Sequence, residues 1–236
     1  MNSPFAFFRW EALLSDWRVI LDGFLNTVAI SVLALLLSLA LGVLFGLFST
    51  SHSRLLHGID RVYVEIFQNT PLLIQLFFFF NGLPYLGIVL PVFTIGVLGI
   101  GFYHGAYISE VVRAGIQSVP AGQREAAASQ GFTYSQAMRY IVLPQAVRVI
   151  LPALANQAVN LIKNTSVMAM IAGGELMYNT DSWAGTTLNY GPAYLTAGIL
   201  YFLLDFPLTR LARRLEKSAD KSKGAEATPL ELELEV

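Results

Sequence analysis

Asn156, Asn160, Lys163 and Asn164 stand at i, i+4, i+7 and i+8, a spacing that puts them on one face of a helix. Gly99, Tyr103, Tyr107 and Glu110 form a second stripe at intervals of four, four and three, with His104 beside it. Gln68, Asn69 and Thr70, with Glu65 and Gln75 close by, make a third polar group. Amides, phenols and one ammonium suit hydrogen bonding to a zwitterion with a polar side chain. They do not suit bond-making. The same groups would equally serve to tie helices together, and Glu110 could pair with Arg113 one turn on. His104 reads as a packed, hydrogen-bonded histidine and not as a metal ligand. The chain has no cysteine, which excludes thiol nucleophiles, disulfides and cysteine metal sites. No GxxxxGK[ST] loop occurs, so any ATP used must bind another chain. No catalytic residue, metal site, cofactor or nucleic-acid contact is expected on this chain.

These stripes lie in apolar surroundings. The 236 residues are 55% hydrophobic and 13% charged, with a mean hydropathy of +0.56. A soluble domain of this length could not hide so much apolar surface, so lipid is the solvent for much of it. On the ruler of about 20 residues per membrane-crossing helix, five spans are expected at 21–48, 63–82, 88–112, 149–171 and 193–212. The first is too long for a signal-peptide core, lacks a cleavage site and reads as a retained anchor. Arg54 and Arg61 follow span one, four arginines follow span three, and six Lys/Arg follow span five. That is 12 of 15 basic residues in segments that alternate onto one side, while the stretches 83–87 and 172–192 contain none. The positive-inside rule then expects a cytoplasmic C-terminus and an outside N-terminus. Residues 1–20 form an extracytoplasmic or interfacial segment, 21–215 the membrane domain, and 216–236 a mobile, solvated tail. Trp10, Trp17 and Trp183 suit the membrane–water interface, and Phe77–Phe80 read as apolar bulk.

The polar segment 113–148, between spans three and four, is built as a stiff connector. Val119-Pro120-Ala121-Gly122 breaks the preceding helix, and Gln123–Gln130 is rich in helix formers, including Ala126 and Ala127. Glu125 near its start interacts favourably with the helix dipole. Gly131 is placed as a helix stop at positive φ, and Thr133-x-x-Gln136 has the capping-box form. Leu143-Pro144 then bends the path back into the membrane.

Glu125-Ala126-Ala127, Gly131, Ile141 and Leu143-Pro144 fall at the spacing of the coupling loop of type I ATP-binding-cassette (ABC) importer permeases, and the chain resembles that family. Asn69-Thr70-Pro71-Leu72-Leu73-Ile74-Gln75 resembles the TPLL-x-Q segment of its polar amino acid branch, which handles histidine, glutamine, glutamate, arginine and opines. Ala106–Glu110, Arg113–Ile116, Val119–Gln123, Leu143–Arg148 and Lys163–Ser166 extend the likeness over roughly residues 20–215. Gln68-Asn69 departs from the Arg-Gly of many members.

The resemblance implies an all-α polytopic membrane protein, a five-span permease core with a cytoplasmic coupling helix. It implies a transport subunit in a bacterial plasma membrane, with no bond chemistry of its own. Its partners would be an ABC ATPase subunit carrying ATP and Mg, a second permease copy or a related permease, and an extracytoplasmic amino-acid-binding protein. Gly122, Glu125, Ala126, Ala127, Gly131, Leu143 and Pro144 would receive the ATPase stroke. Gln68, Asn69, Thr70, Tyr103, Tyr107, Glu110, Asn156, Asn160, Lys163 and Asn164 would line the substrate path. The alternative is an ion-gradient-driven amino acid carrier, which predicts internal inverted repeats; none is evident between the halves.

Overall fold

The computed structural model describes residues 3–226, with side chains described through Ser218. The described residues are helical, with no strand among them. In order they form α1 (Phe7–Ser15), α2 (Trp17–Ser49), α3 (Arg54–Gln68), α4 (Leu72–Phe77), α5 (Val92–Gln117), α6 (Ala121–Ser129), α7 (Tyr134–Ala137), α8 (Leu143–Asn164), α9 (Leu176–Thr187) and α10 (Tyr190–Glu226). Four helical runs are long and apolar enough to cross a bilayer, at Trp17–Ser49, Val92–Gln117, Tyr134–Ile171 and Tyr190–Ser218.

The expected second span, 63–82, is not one straight helix. Arg54–Gln68 and Leu72–Leu86 meet at 96°. Pro71 has no N–H to continue the α3 ladder, and it disfavours the helical conformation at Thr70. The buried Gln75 amide holds the corner, donating to the carbonyls of Phe67 at 3.0 Å and Thr70 at 2.9 Å. Asn69 caps the end of α3 by donating to Glu65 O at 2.8 Å. After α4 the backbone widens into one π-turn, Phe78–Gly82, and tightens into a 3₁₀ turn, Leu83–Leu86.

The centre of the fold is the pairing of α2 with α5. Thr27, Ser31, Ala34, Ser38, Gly42 and Gly46 form the buried stripe of α2, spaced by three and four. Small residues let two backbones approach closely where lipid supplies no hydrophobic driving force between helices. A Cβ on Gly42 would sit 2.3 Å from Ile108 Cγ2, and one on Gly46 2.6 Å from Val112 Cβ. The contact is close enough that only glycine fits.

Two buried apolar clusters flank the middle of α5. One gathers Ile30, Leu76, Ile100, Leu161 and Met168; the other gathers Ile108, Val112, Ile116, Val142 and Ile150. A third, around Leu13, Ile20, Leu176 and Trp183, joins α1, α2, α9 and α10. Trp183 is therefore buried at 5% exposure and does not face lipid, its indole N–H donating to Asp16 Oδ2 at 2.9 Å. Such a partner, 167 residues away along the same chain, is invisible in a local sequence window.

The N-terminus of α9 is capped by Glu175, whose carboxylate accepts from the backbone N–H of Met177 at 2.8 Å and Tyr178 at 2.7 Å. The Tyr201 hydroxyl adds a third bond at 2.9 Å. Thr27 and Asn26 of α2 complete the junction, through Leu176 N–H at 3.0 Å and Gly174 O at 3.0 Å. α9 thus packs against the first half of α2, whereas α7 meets its last turn, where Tyr134 OH reaches Thr50 O at 3.4 Å. The helix α10 runs on to Glu226, past the boundary expected at residue 216; the rest of the expected tail lies outside the described residues.

Candidate transport site

The α5 and α8 stripes face each other between the first two apolar clusters. His104, midway along α5, is 2% exposed, and both of its ring nitrogens are engaged. Asn164 Nδ2 lies 2.9 Å from Nε2, and Gln157 Oε1 lies 3.2 Å from Nδ1. An amide N–H can only donate, so Nε2 accepts and Nδ1 carries the proton. That is the neutral tautomer. His104 is thus the packed histidine expected, and it bridges two helices.

Around this bridge opens a cavity of about 250 Å³. Tyr103, His104 and Tyr107 line it from α5; Gln157, Asn160, Lys163 and Asn164 line it from α8. The two tyrosine hydroxyls share a hydrogen bond of 3.1 Å. The volume falls just below the roughly 300–1,000 Å³ of drug-sized sites, so a small polar solute fits better than a large one. The walls offer both donors and acceptors, and Lys163 contributes the single full charge.

Five of the ten expected path residues come together here: Tyr103, Tyr107, Asn160, Lys163 and Asn164. The other five are outside the cavity wall. Gln68 donates to Ala106 O at 3.1 Å and ties α3 to α5, while Asn69 and Thr70 belong to the α3–α4 corner. Glu110 is held by Arg113, whose Nε lies 3.1 Å from both carboxylate oxygens. Asn156 donates to Glu216 Oε1 at 2.9 Å, joining α8 to α10. Gln157 was the residue missed. It sits three before Asn160 and seven before Asn164, one step round the helix from the Asn156 stripe.

The connector between α5 and α8 is more compact than the expected 113–148. α5 continues to Gln117, and an almost unbroken helical run begins at Tyr134, so residues 118–133 are the connector proper. That run has 38 residues, about 57 Å at 1.5 Å per residue, which is well beyond the roughly 30 Å of hydrocarbon. Part of the run therefore lies outside the hydrocarbon. Within the connector, α6 ends in a Schellman motif: Phe132 N–H meets Ala127 O at 3.1 Å and Gly131 N–H meets Ala128 O at 3.0 Å. Gly131 takes φ +82°, as its place at a helix stop requires. The Thr133–Gln136 capping box is complete in both directions. Ala127 is buried against the fold, while Gly122, Glu125 and Ala126 are exposed. Leu143 is half-buried beside Val142 and Ala146, and Pro144 opens α8 after a π-turn at Met138–Val142.

Residues 38–221 match the family described as the binding-protein-dependent transport system inner membrane component. The chain belongs to this family. It is 41% identical over 210 residues to the probable glutamine ABC transporter permease protein GlnM of Bacillus subtilis (strain 168), covering 89% of this chain and 97% of that one. It is 33% identical over 209 residues to the arginine transport system permease protein ArtQ of the same organism, covering 88% and 95%. A crystal structure of an amino acid ABC transporter with histidines superposes with a TM-score of 0.82 at 31% identity, over 88% of this chain and 97% of that one. An inward-facing methionine ABC transporter, at 18% identity and a TM-score of 0.62, shares the fold. This binding-protein-dependent inner membrane component is accordingly a multi-pass permease subunit of an ABC importer, not an enzyme, and it works with a separate ATPase.

Proposed function

We propose that the chain is the permease of an importer of polar amino acids, fed by an extracytoplasmic binding protein, and that it forms its path as a dimer with a second copy or a related permease. The observation that carries the substrate class is the cavity between α5 and α8. Its phenols, amides and single ammonium match an amino acid's carboxylate and polar side chain. The names of the glutamine and arginine permease relatives support the same class.

Coupling runs through the connector. The ATPase presses on the exposed face of α6, made by Gly122, Glu125 and Ala126, while Ala127 seats the helix on the fold. Gly131, Leu143 and Pro144 fix how that helix meets the start of α8. A short helix closed by a Schellman turn and followed by a capping box resists bending, which a transmitted push requires. Charge distribution supports a cytoplasmic connector and C-terminus with the N-terminus outside. On this reading residues 1–20 are extracytoplasmic or interfacial, 21–215 are the permease domain, and 216–236 are a cytoplasmic tail. Alternating access then needs a ligand that binds the two states with different affinity.

The test is purification from the native membrane in mild detergent, followed by reconstitution of whatever co-purifies. An ATPase with a Walker loop and ATP-dependent uptake of a polar amino acid is the expected result. Uptake that continues without ATP on an ion gradient alone would overturn it.

A further inference from the structure

The outward face of α10 changes character part-way along the helix. Leu195, Ile199, Phe202 and Phe206 follow one another at four, three and four, and all are exposed. Arg210, Arg213, Arg214 and Lys217, also exposed, continue the same stripe at i, i+3, i+4 and i+7. The opposite face packs on the fold through Ala193, Ala197 and Ala212. At the join, the Arg210 guanidinium lies 4.8 Å from the Phe206 ring centroid. From Tyr190, where α10 starts, to Arg210 is about 30 Å of helix, which matches the roughly 30 Å of hydrocarbon. The four cations occupy the next two turns, at the level of the polar headgroups.

Neither the helix dipole nor the positive-inside rule accounts for this stripe. The dipole favours cations in a last turn, whereas α10 runs on to Glu226. The positive-inside rule counts charges on one side and does not require them on one face. Sharing a face carries a cost, because Arg210–Arg214 and Arg213–Lys217 are like-charge pairs at i,i+4. Among the described residues, no carboxylate forms an ion pair with any of the four. Nearby Glu216 is turned to α8, where it accepts from Asn156 at 2.9 Å. A cleft of about 260 Å³ opens on this face, lined among the described residues by the same four cations. An anion with several oxygens answers such a cleft, since guanidinium forks bind them in pairs.

We propose that this cleft holds the phosphate of an anionic phospholipid, whose acyl chains lie along the Leu195–Phe206 stripe. A free phosphate or an acidic protein segment matches the cations alone, whereas an anionic lipid matches both halves of the face. A second copy of the chain, met through this face, would bring four more cations against these. The bound lipid ties α10 to the membrane plane and, through the Asn156–Glu216 bond, α8 with it. The site is independent of what the importer carries.

The test titrates the purified permease–ATPase complex in neutral detergent with phosphatidylglycerol or phosphatidylcholine of the same acyl chains. Native mass spectrometry counts the bound lipid. Phosphatidylglycerol should bind more tightly, and equal binding of the two lipids would overturn the proposal. Arg213→Gln/Arg214→Gln should cut phosphatidylglycerol affinity about 25-fold, at about fivefold per basic side chain beside an anionic headgroup, and leave phosphatidylcholine unchanged. Arg54→Gln/Arg61→Gln removes the same charge from exposed positions on α3 and should change neither. An equal loss in both double variants would show a general charge effect and remove the site. Inorganic phosphate should not displace the lipid at equal concentration; if it does, the cleft takes free phosphate and the lipid assignment falls. Ser218→Cys, in a chain with no other cysteine, places a photo-crosslinker beside the cleft in the native membrane. A lipid adduct is the expected product, and an adduct with the ATPase or a second permease chain would overturn the proposal. This last measurement decides even if the glutamine variant does not assemble.

Discussion

The Asn164 amide donates to the His104 ring across 2.9 Å, joining α8 to the middle of α5 from within the cavity wall. The bridge orients the wall and holds the two helices. His104→Ala removes both ring bonds and leaves two amides without their partner. The expected loss is about 1–3 kcal/mol of stability per unsatisfied group, the usual cost in a buried setting. Thermal unfolding of the purified complex measures it, and an unchanged midpoint would show the bridge to be energetically idle.

The glycine seam between α2 and α5 predicts an asymmetry among glycines. Gly42→Ala drives a methyl group to 2.3 Å from Ile108, and Gly46→Ala to 2.6 Å from Val112. Each should cost about 1–3 kcal/mol through overpacking. Gly58 on α3 has open space around it, so Gly58→Ala should be neutral or stabilising by up to about 1 kcal/mol through helix propensity. Unfolding midpoints of the three variants test the ordering.

Gly131→Leu puts a branched side chain at φ +82°. The left-handed conformation costs about 1–2 kcal/mol for a residue with a Cβ, so the α6 stop loosens or shifts. The permease should still insert, while the ATPase detaches or hydrolyses ATP without transport. Full ATP-driven uptake by this variant would refute the coupling assignment.

Glu175 lies outside the spanning helices, and burial pushes its carboxyl above the ordinary value of 4.5, against the lowering from the N–H groups of Met177 and Tyr178 and from the Tyr201 hydroxyl. A folded pKa above the unfolded one means the folded state holds the proton more tightly. The contribution of Glu175 is then fullest below about pH 4.5 and declines as pH rises through the raised value. Glu175→Gln cannot titrate. The stability of the wild type relative to this variant should fall as pH rises from 4 to 7, and a relative rise would contradict the burial argument.

Much of this architecture was legible as pattern. Apolar runs gave the spans because lipid demands about 20 such residues, and Gly131 and Thr133–Gln136 gave the ends of short helices because those signals are local. The corner at Pro71 was harder to read, since the apolar residues of α4 continue the run and hide the change of direction. Five of the expected path residues lie outside the cavity wall, and two of these, Gln68 and Asn156, tie one helix to another. A polar residue in a membrane helix announces that it needs a partner; a local one such as Arg113 for Glu110 could be named from spacing, whereas Asn156–Glu216, 60 residues apart, is decided by packing. Gln157 escaped because it stood one step outside the Asn156 stripe.

The missing side chains of Gly42 and Gly46 also have a mechanical meaning. With backbone set against side chain and no slack between them, α2 and α5 cannot slide or roll past each other and travel as one plank. On the proposed coupling, a stroke delivered at α6 would then be absorbed elsewhere, at the α3–α4 corner and along the polar seam between α5 and α8. On the proposed reading, the seam that can hinge is also the one that holds the cargo.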